Sequence, residues 1–128
     1  MLTDDIACTV REAAAAALEK KAFQLVALDV SEMTSLTDSF LICSGAHERQ
    51  VSAIADAIRR RLRESGRRPL HVEGERQSRW VLLDYGDFVI HVFTEERRSY
   101  YGLESLWSGA KVFDVEPPRP GAGSTPGE

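Results

Sequence analysis

The stretch that most constrains the fold is WVLLDYGDFVIHVFT, residues 80–94, in which two short apolar segments flank a Gly86-Asp87 pair. A Gly-X pair of this kind forms a two-residue turn that closes a β-hairpin with the right twist. Such a turn sets the register of the strands, and cross-strand partners share one face of the sheet. One face is therefore predicted to be apolar core and contains Val81, Leu83, Tyr85, Phe88, Ile90 and Val92.

The second face of this hairpin mixes apolar and polar side chains. Its predicted cross-strand pairs are Trp80 with Phe93, Leu82 with His91, and Asp84 with Val89. Three interpretations remain open from the residues alone. Helices cover both faces of the sheet; or the second face is a partner-binding patch anchored by Trp80; or it is an active site built on Asp84, Asp87 and His91.

The rest of the chain predicts helices packed on a mixed sheet. Apolar residues at helical spacing indicate helices over residues 2–23 and 46–66, and a shorter amphipathic helix over 98–107. β-prone segments cover 23–30 and 39–45, and a short edge strand begins at Pro69. We expect a single α/β (α+β) domain with a five-stranded mixed sheet and flanking helices over residues 1–115. Residues 116–128 hold four of the five prolines and are expected to be a disordered tail.

Charge and composition narrow the range of partners and chemistry. The net charge is -4 and the pI about 5.4, so the overall field does not draw the protein onto nucleic acid. No apolar run approaches the ~20 residues of a membrane span, and we expect a soluble, cytoplasmic protein without a membrane partner. The two cysteines and three histidines show no metal-binding spacing. We therefore expect neither a metal nor another cofactor.

A catalytic function has little support in the sequence. A metal-dependent nucleotidyltransferase needs carboxylates that reach one metal from the same strand face. Here Asp84 and Asp87 are separated by the turn, and Ser44-Gly45 lacks a glycine-rich phosphate-binding loop. Neither cysteine, and no serine, is paired with a histidine and an acid in a recognisable pattern. We do not expect an enzyme.

A basic cluster crowds the end of the second long helix. Most clusters of this kind are solvated surface. A secondary contact with RNA phosphate is the alternative, although no aromatic residues interleave the arginines to stack on bases. The candidate RNA-contact residues are Arg59, Arg60, Arg63 and Arg67.

Four motifs occur in a specific order and spacing over Asp4 to Val115. They are T-D-x-F within DVSEMTSLTDSFLICSG, V-E-G, W-x-x-x-D-x-G-D-x-x-x-H-x-F, and Y-x-L-E-x-L-W. In this order they resemble the Iojap-like family, the ribosomal silencing factors. One departure is Ser108-Gly109-Ala110, where the family usually has Asp-Ala shortly after the last tryptophan.

The resemblance implies a nucleotidyltransferase-like fold without the catalytic carboxylates. It also implies binding to ribosomal protein L fourteen on the large ribosomal subunit, which sterically blocks the small subunit and represses translation when nutrients are limiting. A role as a large-subunit assembly factor, or a metal-dependent nucleotidyltransferase-like activity, is the alternative. The family residues that carry over are Trp80, Asp84, Asp87, His91, Tyr100, Tyr101, Leu103, Glu104, Leu106 and Trp107.

The resemblance favours the partner-binding interpretation of the hairpin. We expect the face formed by Trp80, Leu82, Asp84, His91 and Phe93 to dock on the ribosomal protein. Asp84, Glu95 and Glu96 would pair with a basic partner. Because an exposed apolar patch is a liability in the free protein, we also expect a homodimer in the absence of the ribosome.

Overall fold

The computed structural model of the chain describes residues 2–101, 109–113 and 115. These residues form a mixed sheet with helices packed on it, which confirms the predicted fold class. The elements in chain order are α1 (Asp4–Glu19), β1 (Phe23–Asp29), β2 (Ser39–Gly45), α2 (Glu48–Glu64), β3 (His71–Glu73), β4 (Trp80–Asp84), β5 (Phe88–Thr94), α3 (Glu95–Tyr101) and β6 (Lys111–Phe113). The predicted tail over 116–128 lies outside the described residues.

The sheet has six strands in the order β3-β4-β5-β2-β1-β6. β2 and β5 run parallel at its centre, and the other neighbouring strands are antiparallel. All five predicted strands are present, but the predicted strand count is one too low. The sixth strand, β6, pairs with β1 over only three residues. A segment this short shows no alternation of apolar and polar residues from which a strand can be predicted.

The helices begin at side chains that accept a backbone hydrogen bond. Thr3 Oγ1 accepts from the Ile6 N–H at 3.2 Å and caps α1, as serine, threonine and aspartate do at this position. His47 Nδ1 accepts from the Gln50 N–H at 3.2 Å at the start of α2. Thr94 Oγ1 accepts from the Arg97 N–H at 3.2 Å, and α3 consequently starts at Glu95 rather than at the predicted position 98.

Two apolar clusters lie on opposite faces of the sheet. The larger one joins α1 and α2 to the sheet face that carries Leu41, Leu83 and Ile90. The smaller one lies on the other face, where it includes Ile42 and Phe93. The sheet is therefore thickly covered by α1 and α2 on one side and more lightly on the other.

Within the part of the chain that the structure describes, none of the helices has the length and apolar character of a membrane span.

Candidate functional site

The hairpin has the predicted register. Trp80 lies opposite Phe93, Leu82 opposite His91, and Asp84 opposite Val89. The Tyr85 N–H donates to the Phe88 carbonyl at 2.9 Å. Asp84 Oδ1 accepts from the Gly86 N–H at 2.8 Å, and Gly86 adopts a φ of 88° that favours glycine. The turn is thus closed both by its backbone and by the Asp84 carboxylate.

The first hairpin face is core, as predicted. All six of its residues are buried: Val81, Leu83, Tyr85, Phe88, Ile90 and Val92. They pack against α1 and α2 as part of the larger cluster. This face is therefore unavailable to a partner.

The second face is less open than the sequence predicted. Phe93 is 0% exposed and His91 5% exposed, so neither presents a surface on which a partner can dock directly. Both lie on β5, in the middle of the sheet, where flanking strands and the smaller apolar cluster cover them. On β5 this face is therefore covered by an apolar cluster of strand and loop residues.

β4 keeps the accessible part of this face. Trp80, Leu82 and Asp84 alternate along the strand and are each half-buried. The Trp80 ring stacks on Phe93, with 4.9 Å between the ring centroids and 27° between the planes. We call Trp80, Leu82 and Asp84 the β4 strip. Phe93 acts as the buried support of this strip.

His91 is held neutral beneath the β4 strip. Its Nδ1 accepts a hydrogen bond from the Trp80 indole N–H at 3.1 Å, and Phe40 meets its ring edge-on with 5.1 Å between centroids. Burial lowers the pKa of His91 to about 4, because a charged imidazolium is poorly solvated there. Among the described residues, Nε2 has no hydrogen-bond partner. A neutral histidine of this kind orients Trp80 and is poorly placed for acid–base chemistry at neutral pH.

β3 adds two residues to this face that the sequence analysis did not include. Glu73 lies opposite Leu82, and His71 lies opposite Asp84. Glu73 Oε2 and His71 Nε2 are 2.6 Å apart, and their side chains are 64% and 58% exposed. The alternation of His71, Val72 and Glu73, with Val72 packed on the core, was the available signal. Two carboxylates, Glu73 and Asp84, therefore flank Leu82.

Gly74 permits the close approach of β3 to Trp80. Its φ is 86°, and a Cβ at this position would lie 1.9 Å from the Trp80 carbonyl oxygen. Any side chain would therefore collide with the backbone of the residue that anchors the β4 strip. This explains why the V-E-G motif ends in glycine in this chain.

The C-terminal candidates are only partly described. Tyr100 and Tyr101 end α3, whereas Glu104 and Trp107 lie outside the described residues. Glu95 and Glu96 are exposed at the start of α3. Arg98, in the same helix, is 9% exposed; its Nη1 donates to Ser44 Oγ at 2.9 Å and to the Gln24 carbonyl.

The arginine cluster is divided between two sides of α2, because successive helical residues are about 100° apart around the axis. Arg59, Arg63 and Arg67 line a cleft beside the segment that leads into β3. Arg60 lies on the other side, in a groove between α1 and α2. The four candidate RNA-contact residues therefore do not form one patch.

The carboxylates of the hairpin do not assemble a metal site. Asp84 is engaged with the Gly86 N–H, and Asp87 lies across the turn from it. Within residues 2–101, 109–113 and 115, no three histidine, cysteine, aspartate or glutamate side chains are grouped so that they could hold a metal ion.

Comparisons with known proteins show which proteins the chain is similar to. A family model described as "Ribosomal silencing factor during starvation" matches residues 3–126. The chain is 45% identical over 98 residues to ribosomal silencing factor RsfS of Halalkalibacterium halodurans, covering 77% of this chain and 84% of the relative. It is 44% identical over 104 residues to RsfS of Bacillus subtilis, covering 81% and 88%. A crystal structure of a Chromobacterium violaceum protein superposes with a TM-score of 0.77 at 36% identity, covering 80% of this chain and 86% of that one.

Proposed function

Because the chain belongs to the ribosomal silencing factor family, we propose that it binds ribosomal protein L fourteen on the large ribosomal subunit and blocks joining of the small subunit. The observation that carries this proposal is the β4 strip, a half-open row of Trp80, Leu82 and Asp84 on an otherwise well-covered sheet. Translation is then repressed without any chemical step. Bulk on the intersubunit face is sufficient.

The β4 strip has the composition of a protein contact. Tryptophan is enriched at the centres of interfaces, and burying its remaining exposed surface can contribute ~2 kcal/mol or more. Leu82 continues the apolar surface beside it. A contact of ~800 Å² per partner is enough for a specific complex. The β4 strip and the adjoining β3 would form part of such a contact.

Preorganisation supports the role of Trp80 as the anchor. Its indole is fixed from below by the stack on Phe93 and by the hydrogen bond to His91. A side chain that is already ordered loses little conformational entropy when a partner covers it. Ordering this indole on binding therefore costs less free energy than ordering a mobile surface tryptophan would.

The charge around the strip suits a basic partner such as a ribosomal protein. Glu73 and Asp84 lie on either side of Leu82, and the Glu73 side chain is 64% exposed. Carboxylates at the rim of an interface raise the association rate with a positively charged partner. Glu95 and Glu96, exposed at the start of α3, extend the same sign of charge.

We also propose that the β4 strips of two copies of the chain cover each other in a homodimer when no ribosome is available. An apolar strip that faces water favours association with any complementary copy. Docking on the ribosome then competes with the dimer. Analytical ultracentrifugation of Leu82→Glu against the unmodified protein tests this point, since the charged variant is expected to be monomeric.

The test of the ribosomal proposal is co-sedimentation of the purified chain with large ribosomal subunits. Trp80→Glu and Leu82→Glu are each expected to abolish binding while circular dichroism remains unchanged. Val112→Glu is the matched control, because Val112 is 70% exposed on β6 at the far edge of the sheet. It places the same new charge on an apolar strand residue away from the strip and is expected to bind normally.

Two results would contradict the proposal. Failure of the folded, unmodified chain to sediment with large subunits would reject ribosome binding. Normal binding by folded Leu82→Glu and Trp80→Glu would reject the β4 strip as the contact. Leu82→Glu keeps the second test informative if Trp80→Glu fails to fold.

A further inference from the structure

A cleft of about 440 Å³ opens beside the C-terminal part of α2, between that helix and the segment that enters β3. Four arginines line it: Arg59, Arg63, Arg67 and Arg68. Residues 69–72, Pro69, Leu70, His71 and Val72, complete its lining. The volume lies within the range of small-molecule sites.

Two of the four guanidinium groups are held in place. Arg67 Nη2 pairs with Asp5 Oδ2 at 2.8 Å, and its guanidinium carbon lies 5.9 Å from the centroid of the Phe88 ring. Arg59 pairs with Glu75. Both side chains are only about a third exposed, at 30% and 37%. They are positioned donors at the edge of the cleft.

The other two arginines have no carboxylate partner. Arg63 and Arg68 make no ion pair with any described residue, although both line the same cleft. Arg49, Arg60, Arg76 and Arg97 likewise make no ion pair with a described residue. What distinguishes Arg63 and Arg68 is that they share one concavity with two further arginines.

We propose that this cleft binds a compact polyphosphate ligand, such as the pyrophosphate group of a nucleotide. Guanidinium groups offer paired N–H donors that match the oxygens of a phosphate. Several such groups around one concavity can contact adjacent phosphates at once, which a flat surface cannot do. The negative end of the α2 dipole, about half a charge, opposes an anion here, but it is smaller than the two full charges of Arg63 and Arg68.

The cleft favours a small ligand over an RNA strand. Its described lining contains no phenylalanine, tyrosine or tryptophan on which bases could stack. Arg60, the remaining candidate RNA-contact residue, faces the groove on the other side of α2, so the basic residues do not trace a continuous track for a backbone.

The cleft and the β4 strip use largely different residues. The cleft lies on the side of the sheet that α2 covers, since its Val72 packs with the larger cluster. The β4 strip lies on the opposite face, where Trp80 packs with the smaller cluster. The two sites adjoin at His71, which lines the cleft and lies opposite Asp84 on β3. They are tested with different substitutions, Arg63→Ala/Arg68→Ala for the cleft and Leu82→Glu for the strip, so that the failure of one proposal is distinguishable from the failure of the other.

The test is isothermal titration calorimetry of the full chain with inorganic pyrophosphate and with ADP, using adenosine as the phosphate-free control. Both phosphate probes are expected to bind and adenosine is not. The Arg63→Ala/Arg68→Ala variant is expected to weaken binding by roughly tenfold for each guanidinium removed. Affinity should also fall as salt rises, because the guanidinium groups are partly exposed.

The matched control is Arg49→Ala/Arg60→Ala, which removes the same number of charges at two positions of α2 outside the cleft lining. It is expected to bind pyrophosphate as the unmodified chain does. Equal weakening by both double variants would mean a general charge effect and would overturn the proposal. So would the absence of binding by pyrophosphate and ADP in low salt.

A second experiment distinguishes a small phosphate ligand from the phosphates of an RNA strand. Fluorescence anisotropy with a labelled eight-nucleotide oligouridine is expected to show no binding that depends on Arg63 and Arg68. Binding of the oligouridine that the cleft variant loses, with no binding of pyrophosphate, would replace the small-ligand site with an RNA contact. Circular dichroism of every variant confirms that it is folded.

Discussion

The indole N–H of Trp80 donates a hydrogen bond to Nδ1 of His91 across adjacent strands, over 3.1 Å. Because the indole nitrogen is a donor only, Nδ1 must be the unprotonated nitrogen of the ring and Nε2 carries the hydrogen. Nε2 is buried and has no partner within the part of the chain that the structure describes. A half-exposed aromatic is therefore coupled to the ionisation state of a buried histidine.

This coupling predicts a loss of stability in mild acid. The pKa of His91 is about 4 in the folded protein, below the ordinary value of about 6.5 expected in the unfolded chain. As pH falls from 6.5 towards 4, the unfolded state takes up a proton that the folded state resists. We expect the free energy of unfolding to fall by about 2 kcal/mol between pH 8 and pH 5 from this group. Urea unfolding at each pH, followed by circular dichroism, measures it.

The control for this prediction is His91→Asn, whose side-chain oxygen can still accept from the Trp80 N–H. Other titrating groups are the same in both proteins, so they cancel in the comparison. The variant is expected to lose less stability than the unmodified protein over the same pH interval. Identical losses would show that His91 does not contribute.

Gly74→Ala is predicted to destabilise the protein strongly. An added Cβ would lie 1.9 Å from the Trp80 carbonyl oxygen, in addition to the strain of a φ of 86°. We expect a loss of roughly 3 kcal/mol or more in the free energy of unfolding, because both backbone strain and displacement of a strand contribute. Chemical denaturation measures the loss.

Gly66→Ala separates the two contributions. Gly66 has the same φ of 86°, but no atom lies within 4 Å of the position of an added Cβ. Only the left-handed backbone is then penalised, at about 1 kcal/mol. If both alanine variants cost the same, the close approach of β3 to Trp80 is not the reason for Gly74.

Arg98→Met is predicted to loosen the junction between β1 and β2. Arg98 donates to the Gln24 carbonyl and to Ser44 Oγ, and β1 is irregular between Phe23 and Val26. Loss of these charge-assisted hydrogen bonds is expected to cost about 2 kcal/mol. Arg97→Met in the same helix is the control, with an expected change below about 0.5 kcal/mol. Equal effects of the two substitutions would contradict the structural role of Arg98.

The two thiols are predicted to differ sharply in reactivity. Cys8 is exposed and Cys43 is buried, and burial raises the pKa of the Cys43 thiol to about 12. Because the thiolate is the reactive form, a thiol reagent at pH 8 is expected to label one cysteine rapidly and the second only on unfolding. Cys8→Ser should abolish the rapid phase. Rapid labelling that persists in Cys8→Ser would place Cys43 at the surface.

The hairpin shows how much of the fold can be predicted from the sequence. The Gly86-Asp87 turn fixes the pairing by itself, so every cross-strand neighbour between Trp80 and Asp84 is predicted correctly. A local turn is enough for this because hairpin register depends on turn type and length. Which side of the hairpin is core follows from the same alternation.

The features of the site that the sequence did not predict depend on segments that are distant along the chain. The burial of Phe93 and His91 is determined by β2 and the smaller cluster around Ile42, which are remote in sequence. The position of Glu73 beside the β4 strip can be derived only once the pairing of β3 with β4 is known. Likewise, the arginines near the end of α2 are neighbours in the sequence and suggest one patch, but the helix places them on two of its sides.

The parallel pairing of β2 with β5 has a consequence for how the chain is made. Ser39 pairs with Phe88 and Gly45 with Thr94, so the centre of the sheet joins segments almost fifty residues apart. During synthesis, β2 can pair with β1 at once, but its other edge stays open until Thr94 has been released from the exit tunnel. Non-local pairing of this kind slows folding, and an open strand edge invites pairing with other chains. The nascent protein is therefore most exposed to aggregation before β5 has joined the sheet.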